Sequence, residues 1–291
     1  MALPNINDYF VPGTRQEALA LMKKFGDGAM LVAGGTFVHG LEVRGVLEDV
    51  QALIDIGQLD LDGIRTDGDR LVIGATTTFA TLQAHPQIAA APVYGAICDA
   101  LRYPPAQIRN VGTVGGCIAA SAPLYDLPCA LSALDARLHI DGGQGARQVG
   151  LDEFFTGLFE NVLGSDELLT EIELPNAPAN TASAFLKLET NANDLAILNL
   201  AVRLTVDDAG RCAEARIFVG GGVGETYARA VSAETVLNGS PAEAASFAAA
   251  SEAVGNDIQP VDDHRASAAY RAHIAKVYTR RCLATALERL G

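Results

Sequence analysis

Two short glycine clusters constrain this chain more than any other feature. The first is Ala33-Gly34-Gly35-Thr36, at the end of the apolar run 29–32. The second is Thr113-Val114-Gly115-Gly116, with Gly112 just ahead of it. Glycine reaches positive φ without steric penalty and lets backbone N–H groups come close to a ligand. Successive N–H groups beside a hydroxyl make a concavity that suits phosphate. Two such loops can grip the two phosphates of a dinucleotide from opposite sides, and each taken alone is equally a tight turn. Neither follows G-x-G-x-x-G or G-x-x-x-x-G-K-[ST], so an ordinary Rossmann or P-loop site has no support.

The pattern around these loops mixes helix and strand. Residues 14–25 read as a helix, with Thr14 as N-cap and Ala18, Leu21, Met22 and Phe25 at helical spacing. Gly26 and Gly28 stop it. Strands at 29–32 and 52–56 complete a small α/β unit over 1–57. The second unit, 58–176, begins with a hairpin turning at Asp67-Gly68-Asp69. Helices follow at 76–84 and 93–101, then the second glycine cluster as a turn, then a helix from Asp126 or Leu127 to Leu134. Strands at 138–140 and 168–174 flank the aromatic group Phe154, Phe155 and Phe159. The stretch 175–180, PNAPAN, is the clearest linker. Beyond it, the third unit, 177–291, should hold a three-stranded antiparallel meander (184–188, 196–205, 212–219) and three helices (226–237, 241–254, 267–290). A length of 291 residues suits two or three such modest units.

Composition removes several function classes. Lys+Arg number 21 and Asp+Glu 35, a net charge of −14 at pH 7 with neutral histidine. So acidic a chain has no general attraction for nucleic acid or anionic lipid. No apolar run approaches the roughly 20 residues of a membrane span. The opening MALPNINDYF lacks the basic and apolar regions of a secretory signal. The five cysteines include no C-x-x-C pair, and the five histidines show neither H-x-x-x-H nor H-E-x-x-H spacing. This predicts reduced thiols in a cytoplasmic protein, with no zinc or iron–sulfur site on this chain.

The string IRNVGTVGGCIAASAPLYDLPCALSALDA, residues 108–136, resembles the second flavin-binding segment of the molybdenum hydroxylase flavoprotein family, whose members include the FAD-binding (medium) subunits or domains of the xanthine dehydrogenase and aerobic carbon monoxide dehydrogenase type. The family pattern there is roughly I-R-N-x-(A/G)-T-(I/V)-G-G-N-(I/L), then A-x-P, then D-x-x-P-A-L-x-A-L-D-A. AGGT at 33–36 matches the family's first flavin segment, and FLKLETNANDLAILNLAV at 185–202 resembles its later F-x-K…D-x-A segment. GGV at 221–223, followed by Arg229-Ala230, resembles its C-terminal part. The four matches come in family order and cover nearly the whole chain.

The resemblance implies an α+β fold: a two-subdomain FAD-binding domain of the vanillyl-alcohol-oxidase/PCMH type, followed by a C-terminal domain of a three-stranded antiparallel sheet with helices. It also implies which residues border FAD. Leu31, Val32, Ala33, Gly34, Gly35, Thr36, Phe37 and Val38 would wrap its diphosphate and ribityl. Asn110 belongs to the second segment, whose Thr113, Val114, Gly115, Gly116 and Cys117 would clasp the diphosphate from the other side through backbone N–H groups and the Thr113 hydroxyl. Asp126 would accept a hydrogen bond from the nucleotide part, although it reads equally as the N-cap of its own helix. Tyr103 and Leu169 would border the cofactor, while reading also as a packed loop aromatic and a core leucine. Lys187 would bring positive charge to it, or else stand as a solvated strand-edge lysine. Two positions depart from the family: Cys117 stands where many relatives have asparagine, and 189–194 lacks an arginine often found there.

The function so implied is that of an oxidoreductase subunit transferring electrons. Substrate is oxidised at a molybdenum–pterin centre on a large partner subunit. Electrons then cross 2Fe-2S clusters on a small partner and pass through FAD to NAD, oxygen, a quinone or another acceptor. The family assembly is a heterotrimer, expected to be doubled. Two rival readings remain at this point. A self-contained flavin reductase needs an acid–base cluster that the sequence does not display. A non-catalytic assembly module that has lost FAD is opposed by the retention of both glycine clusters.

Overall fold

The computed structural model describes residues 6–43, 47–191 and 194–291. Met1–Asn5, part of the stretch without a secretory pattern, and Ala192 and Asn193, within the arginine-lacking stretch, lie outside the described residues.

The chain opens with Asp8–Phe10 (β1), Arg15–Phe25 (α1), Ala29–Val32 (β2), Val38–Val43 (α2) and Ala52–Asp55 (β3). The strands form a parallel sheet in the order β1-β3-β2, with Leu53 between Tyr9 and Met30. Thr14 caps α1, its Oγ1 accepting from the Glu17 N–H at 3.2 Å. The helix lays Ala18 and Met22 on Ile54 in a small core. Because the strands are parallel, their carboxyl ends share one edge, the usual seat of ligands on such sheets. The Ala33–Thr36 loop leaves β2 at that edge.

Next come the strands Ile64–Asp67 (β4), Arg70–Gly74 (β5), Arg137–Gly142 (β6), Gly145–Gly150 (β7), Phe155–Gly157 (β8), Glu160–Asn161 (β9) and Glu167–Leu174 (β10). Between and after them run the helices Phe79–Ala84 (α3), Pro86–Ala90 (α4), Gly95–Ala100 (α5), Ala106–Arg109 (α6), Val114–Ala119 (α7), Asp126–Ala133 (α8) and Leu151–Phe154 (α9). The main sheet is antiparallel in the order β4-β5-β10-β6-β7. Ile172 of β10 lies between Ile73 and Leu138, and Leu82, Ile97, Ile118 and Leu131 from the helices join them in one core. β8 and β9 make a separate hairpin whose tip is Leu158-Phe159. The second glycine cluster is not a turn, as expected from its composition, but the start of α7. Thr113 is its N-cap, its Oγ1 accepting from the Gly116 N–H at 3.2 Å.

The chain ends with Thr181–Leu188 (β11), Leu198–Val206 (β12), Cys212–Gly220 (β13), Ala228–Arg229 (β14), Val231–Leu237 (α10), Ala244–Ala253 (α11) and Ala268–Leu290 (α12). The expected three-stranded sheet is four-stranded, in the order β11-β12-β13-β14. The added strand pairs only Phe218 with Arg229 and Val219 with Ala228. Two residues are too few to show an alternation, so the strand was hidden inside the expected 226–237 helix, which begins at Val231 instead. One face of the sheet packs on the C-terminal helices through Leu200, Val202, Ile217, Ala275 and Leu283. The other, with Phe185, Ala201 and Phe218, packs on Ala96 and Ala100 of α5 and on Ala130 and Ala133 of α8. Burial on both faces is why β12 encloses even Asn199, Arg203 and Thr205. Among the described residues no helix is long and apolar enough to cross a membrane.

Candidate functional site

A cavity of about 570 Å³ lies between the carboxyl edge of the parallel sheet, the segment carrying α7 and α8, and β11. Of the residues singled out from the sequence, all but Asn110 and Val114 line it. Asn110 ends α6 on the exposed side, and Val114 is buried in the core of the second unit.

The two glycine clusters differ sharply in what they offer. Gly35 has φ +66°, a conformation that favours glycine. At Gly34, a Cβ would stand 1.9 Å from the Val111 carbonyl oxygen, so the first cluster is pressed against the backbone that leads into the second. Among the described residues, the N–H groups of Gly34, Gly35, Thr36 and Phe37 meet no protein acceptor. Backbone donors without partners are rare in folded chains, and four in succession beside a cavity are an arrangement that suits an anion. In the second cluster the donors are committed. The Val114 N–H donates to Thr77 O at 3.0 Å, the Gly115 N–H to Ala75 O at 2.8 Å and the Cys117 N–H to Thr113 O at 3.0 Å. Gly115 approaches β5 so closely that a Cβ would lie 2.6 Å from the Ala75 Cβ. What this cluster still offers is the Thr113 hydroxyl proton, since that oxygen accepts from Gly116 and remains able to donate.

A buried charged group closes one side of the cavity. Lys187 Nζ donates to Asp126 Oδ2 at 2.9 Å and lies 3.3 Å from Glu189. Asn199 Nδ2 donates to Asp126 Oδ1 at 3.2 Å, and Lys187 Nζ sits 5.0 Å above the Tyr103 ring. The Lys187 backbone N–H donates to the Tyr103 hydroxyl at 3.3 Å. Lys187 is therefore no solvated edge charge: its side chain is 4% exposed. Asp126 is no cap either. Tyr125 holds the N-cap position, while the Asp126 carboxylate points at Lys187 and Asn199. Burial pushes the Asp126 carboxyl up to about 6, against the opposing pull of Lys187 and Asn199. Two carboxylates share one ammonium, so the group does not present the positive charge expected of Lys187 alone.

Tyr125 and Phe159, which sequence reasoning did not assign to the site, join Phe37 in lining another part of it. The Phe37 ring stands 5.8 Å from Tyr125, edge to face, and 6.1 Å from Phe159, stacked. Phe159 occupies the tip of the β8–β9 hairpin at φ +62°, and its N–H donates to Ser121 O at 3.1 Å. Ser121 is itself at φ +47°. Asn161 Nδ2 donates to Ser121 Oγ at 2.9 Å, which latches the hairpin to the end of α7. Left-handed backbone at two non-glycine residues beside one cavity is strain held by its surroundings. Asp194 and Leu195 complete the lining.

Two family models match the chain. Residues 4–177 match the family model described as the FAD binding domain in molybdopterin dehydrogenase. Residues 183–286 match that of the CO dehydrogenase flavoprotein C-terminal domain. The chain is 34% identical to the 6-hydroxypseudooxynicotine dehydrogenase complex subunit alpha of Paenarthrobacter nicotinovorans, over 97% of this chain and 95% of that one. It is 33% identical to the carbon monoxide dehydrogenase medium chain of Afipia carboxidovorans, over 99% of both. A chain in the crystal structure of the cyanide-inactivated Cu,Mo-CO dehydrogenase superposes with a TM-score of 0.92 at 31% identity, over 99% of this chain and 100% of that one.

Proposed function

This chain belongs to the family of FAD-binding medium subunits of molybdenum hydroxylases, and from that membership we propose that it relays electrons, through FAD held in the cavity, from 2Fe-2S clusters on a small partner to an external acceptor. FAD, when bound, supplies the reversible redox chemistry. The chain's own residues hold and orient. The N–H groups of Gly34–Phe37, which meet no acceptor among the described residues, would receive the diphosphate, and the Thr113 hydroxyl would donate to it from the neighbouring segment. The committed donors of Val114, Gly115 and Cys117 shape that wall without contributing bonds. Phe37, Tyr125 and Phe159 exclude water along the apolar stretch. Asp126, Lys187 and Glu189 form a fixed charge set beside it, which tunes whatever charge develops there.

The observation that carries this reading is the run of four N–H donors, without acceptors among the described residues, in a loop that lines a cavity of about 570 Å³. Oxidation of the organic substrate belongs, in this reading, to a large molybdenum–pterin partner, and the acceptor is NAD, oxygen, a quinone or another carrier. Relatives named as a medium chain and as a complex subunit support assembly into a heterotrimer, doubled or not. The free cysteines support a cytoplasmic site of action. The division into 1–57, 58–176 and 177–291 is the organisation we propose for it.

The test is direct. Full-length protein, purified alone and with candidate partner chains, should show flavin absorption, take up added FAD tightly and co-purify with molybdenum and iron. A colourless chain that refuses FAD contradicts the reading.

A further inference from the structure

We infer that Arg265 is a positioning residue for the flavin site, holding from the C-terminal domain the piece of cavity wall that contains Asp194 and Leu195. The inference rests on the reading above, because it concerns the same cavity. Residues 194–197 lie between β11 and β12, outside either strand. Leu195 is 38% exposed, so core packing does not fix it. Hydrogen bonds do. The Arg265 guanidinium donates to Asp194 Oδ2 at 3.1 Å, to Ala196 O at 3.1 Å and to Leu195 O. A planar fork can serve a carboxylate and two successive carbonyls at once, which a lysine cannot.

Arg265 is itself braced. Asp263 Oδ1 accepts from the N–H groups of Arg265 and Ala266 at 2.8 and 2.9 Å, and its Oδ2 accepts from Arg271 Nη2 at 2.7 Å. Burial works against the Asp263 carboxylate, but Arg271 and those N–H groups hold it down at about 2, so the brace stays charged. Arg271, fully buried, continues the pattern, donating from Nε to Ile197 O at 3.1 Å. Three consecutive carbonyls of the wall thus end on two arginines rooted in residues 261–271. Besides these, the Ala196 N–H donates to Leu124 O at 3.4 Å, next to Tyr125 and Asp126 of the cavity, the Ile197 N–H donates to Leu188 O at 2.8 Å, and the Asp194 N–H closes a local turn on Asn191 O at 3.1 Å. Release of Arg265 therefore frees the wall at its cavity-facing residues.

The test uses the full chain with Arg265→Ala, Arg265→Lys and Asp194→Asn. FAD affinity is read by fluorescence titration, the bound flavin's surroundings by visible circular dichroism, and folding by the thermal midpoint without FAD. Arg265→Ala should weaken FAD about tenfold, the scale of one lost charge-assisted hydrogen bond, and change the flavin dichroism. Arg265→Lys should recover part of both, and Asp194→Asn should show a smaller loss. A folded Arg265→Ala chain that binds FAD within about twofold of wild type, with superimposable dichroism, overturns the inference. Should that variant not fold, the same criterion applied to Arg265→Lys and Asp194→Asn decides it. Wild-type protein that binds no FAD overturns the flavin reading itself, whereas wild-type binding with unmoved variants overturns only the role of Arg265.

Discussion

Gly34 and Gly35 are adjacent, yet the structure gives them different reasons to be glycine, and alanine should separate the two. At Gly34 the added Cβ would meet the Val111 carbonyl oxygen at 1.9 Å, its carbon at 2.8 Å and Gly112 Cα at 3.1 Å. All three are backbone atoms, so relief requires the two glycine-bearing segments to part by about 1 Å or more, and overpacking of this kind costs about 3 kcal/mol or more. At Gly35 the nearest atom is Val32 Cγ1 at 3.8 Å, an ordinary contact. Only the left-handed backbone is penalised there, by about 1–2 kcal/mol. A chain of this size loses about 2–4 °C per kcal/mol. Gly34→Ala should therefore melt about 6 °C or more below wild type and lose FAD, because the cavity walls separate. Gly35→Ala should melt only a few degrees lower and retain FAD with reduced affinity. Gly35→Asp should stay folded and lose FAD, since a carboxylate would face the diphosphate. Thermal melts with and without FAD, together with a fluorescence titration, read all three. Equal midpoints for the two alanine variants, or full flavin occupancy in Gly35→Asp, would refute the reasoning.

Two further outcomes concern the buried charges. Asp126→Asn removes a carboxyl whose pKa burial raises from 3.8 to about 6, so the stabilisation from its protonated form is full in acid and lost as pH rises through 6. Between pH 7 and pH 5 wild type should gain about 1.4 kcal/mol over the variant in urea denaturation, and parallel pH curves would show the carboxyl is not so raised. Lys187→Met leaves Asp126 and Glu189 without their cation, at a cost of about 3–5 kcal/mol, and adding Asp126→Asn should restore part of the loss. An unchanged thermal midpoint in Lys187→Met contradicts the ion-pair argument.

Features governed by local chemistry were legible in the sequence: the Thr14 cap, the apolar run ending in Gly34-Gly35, the 175–180 linker and the long strands of the last sheet. What escaped depends on distant partners. The donors of Val114 and Gly115 end on Thr77 and Ala75, more than thirty residues upstream, so their composition alone suggested free phosphate ligands. β7 escaped because its residues are polar and mostly exposed, leaving no apolar alternation to read. Phe159 stood out as an aromatic, but its place in the cavity depends on a left-handed backbone and on Ser121, which no local pattern reveals.

The position of Lys187 shows how the last sheet becomes part of the site. Along β11, Ser183, Phe185 and Lys187 fall on one face, as the two-residue period of a strand requires. Ser183 Oγ accepts from the Ala96 N–H at 2.8 Å, and Phe185 packs against Ala96, Ala100 and Ala130. With those two fixed on α5 and α8, Lys187 has no other direction than the cavity. Its cross-strand partner is Asn199, two residues from Ala201 on the same face of β12, and both side chains reach Asp126. A slip of one residue along β11 would turn Leu186 or Leu188 toward the Asp126 carboxylate and take away its ammonium donor. The packing that joins the C-terminal domain to the FAD-binding part therefore also sets the charge beside the cavity. A strand register maintained by alanine and phenylalanine contacts, and not the lysine by itself, decides whether that charge is there.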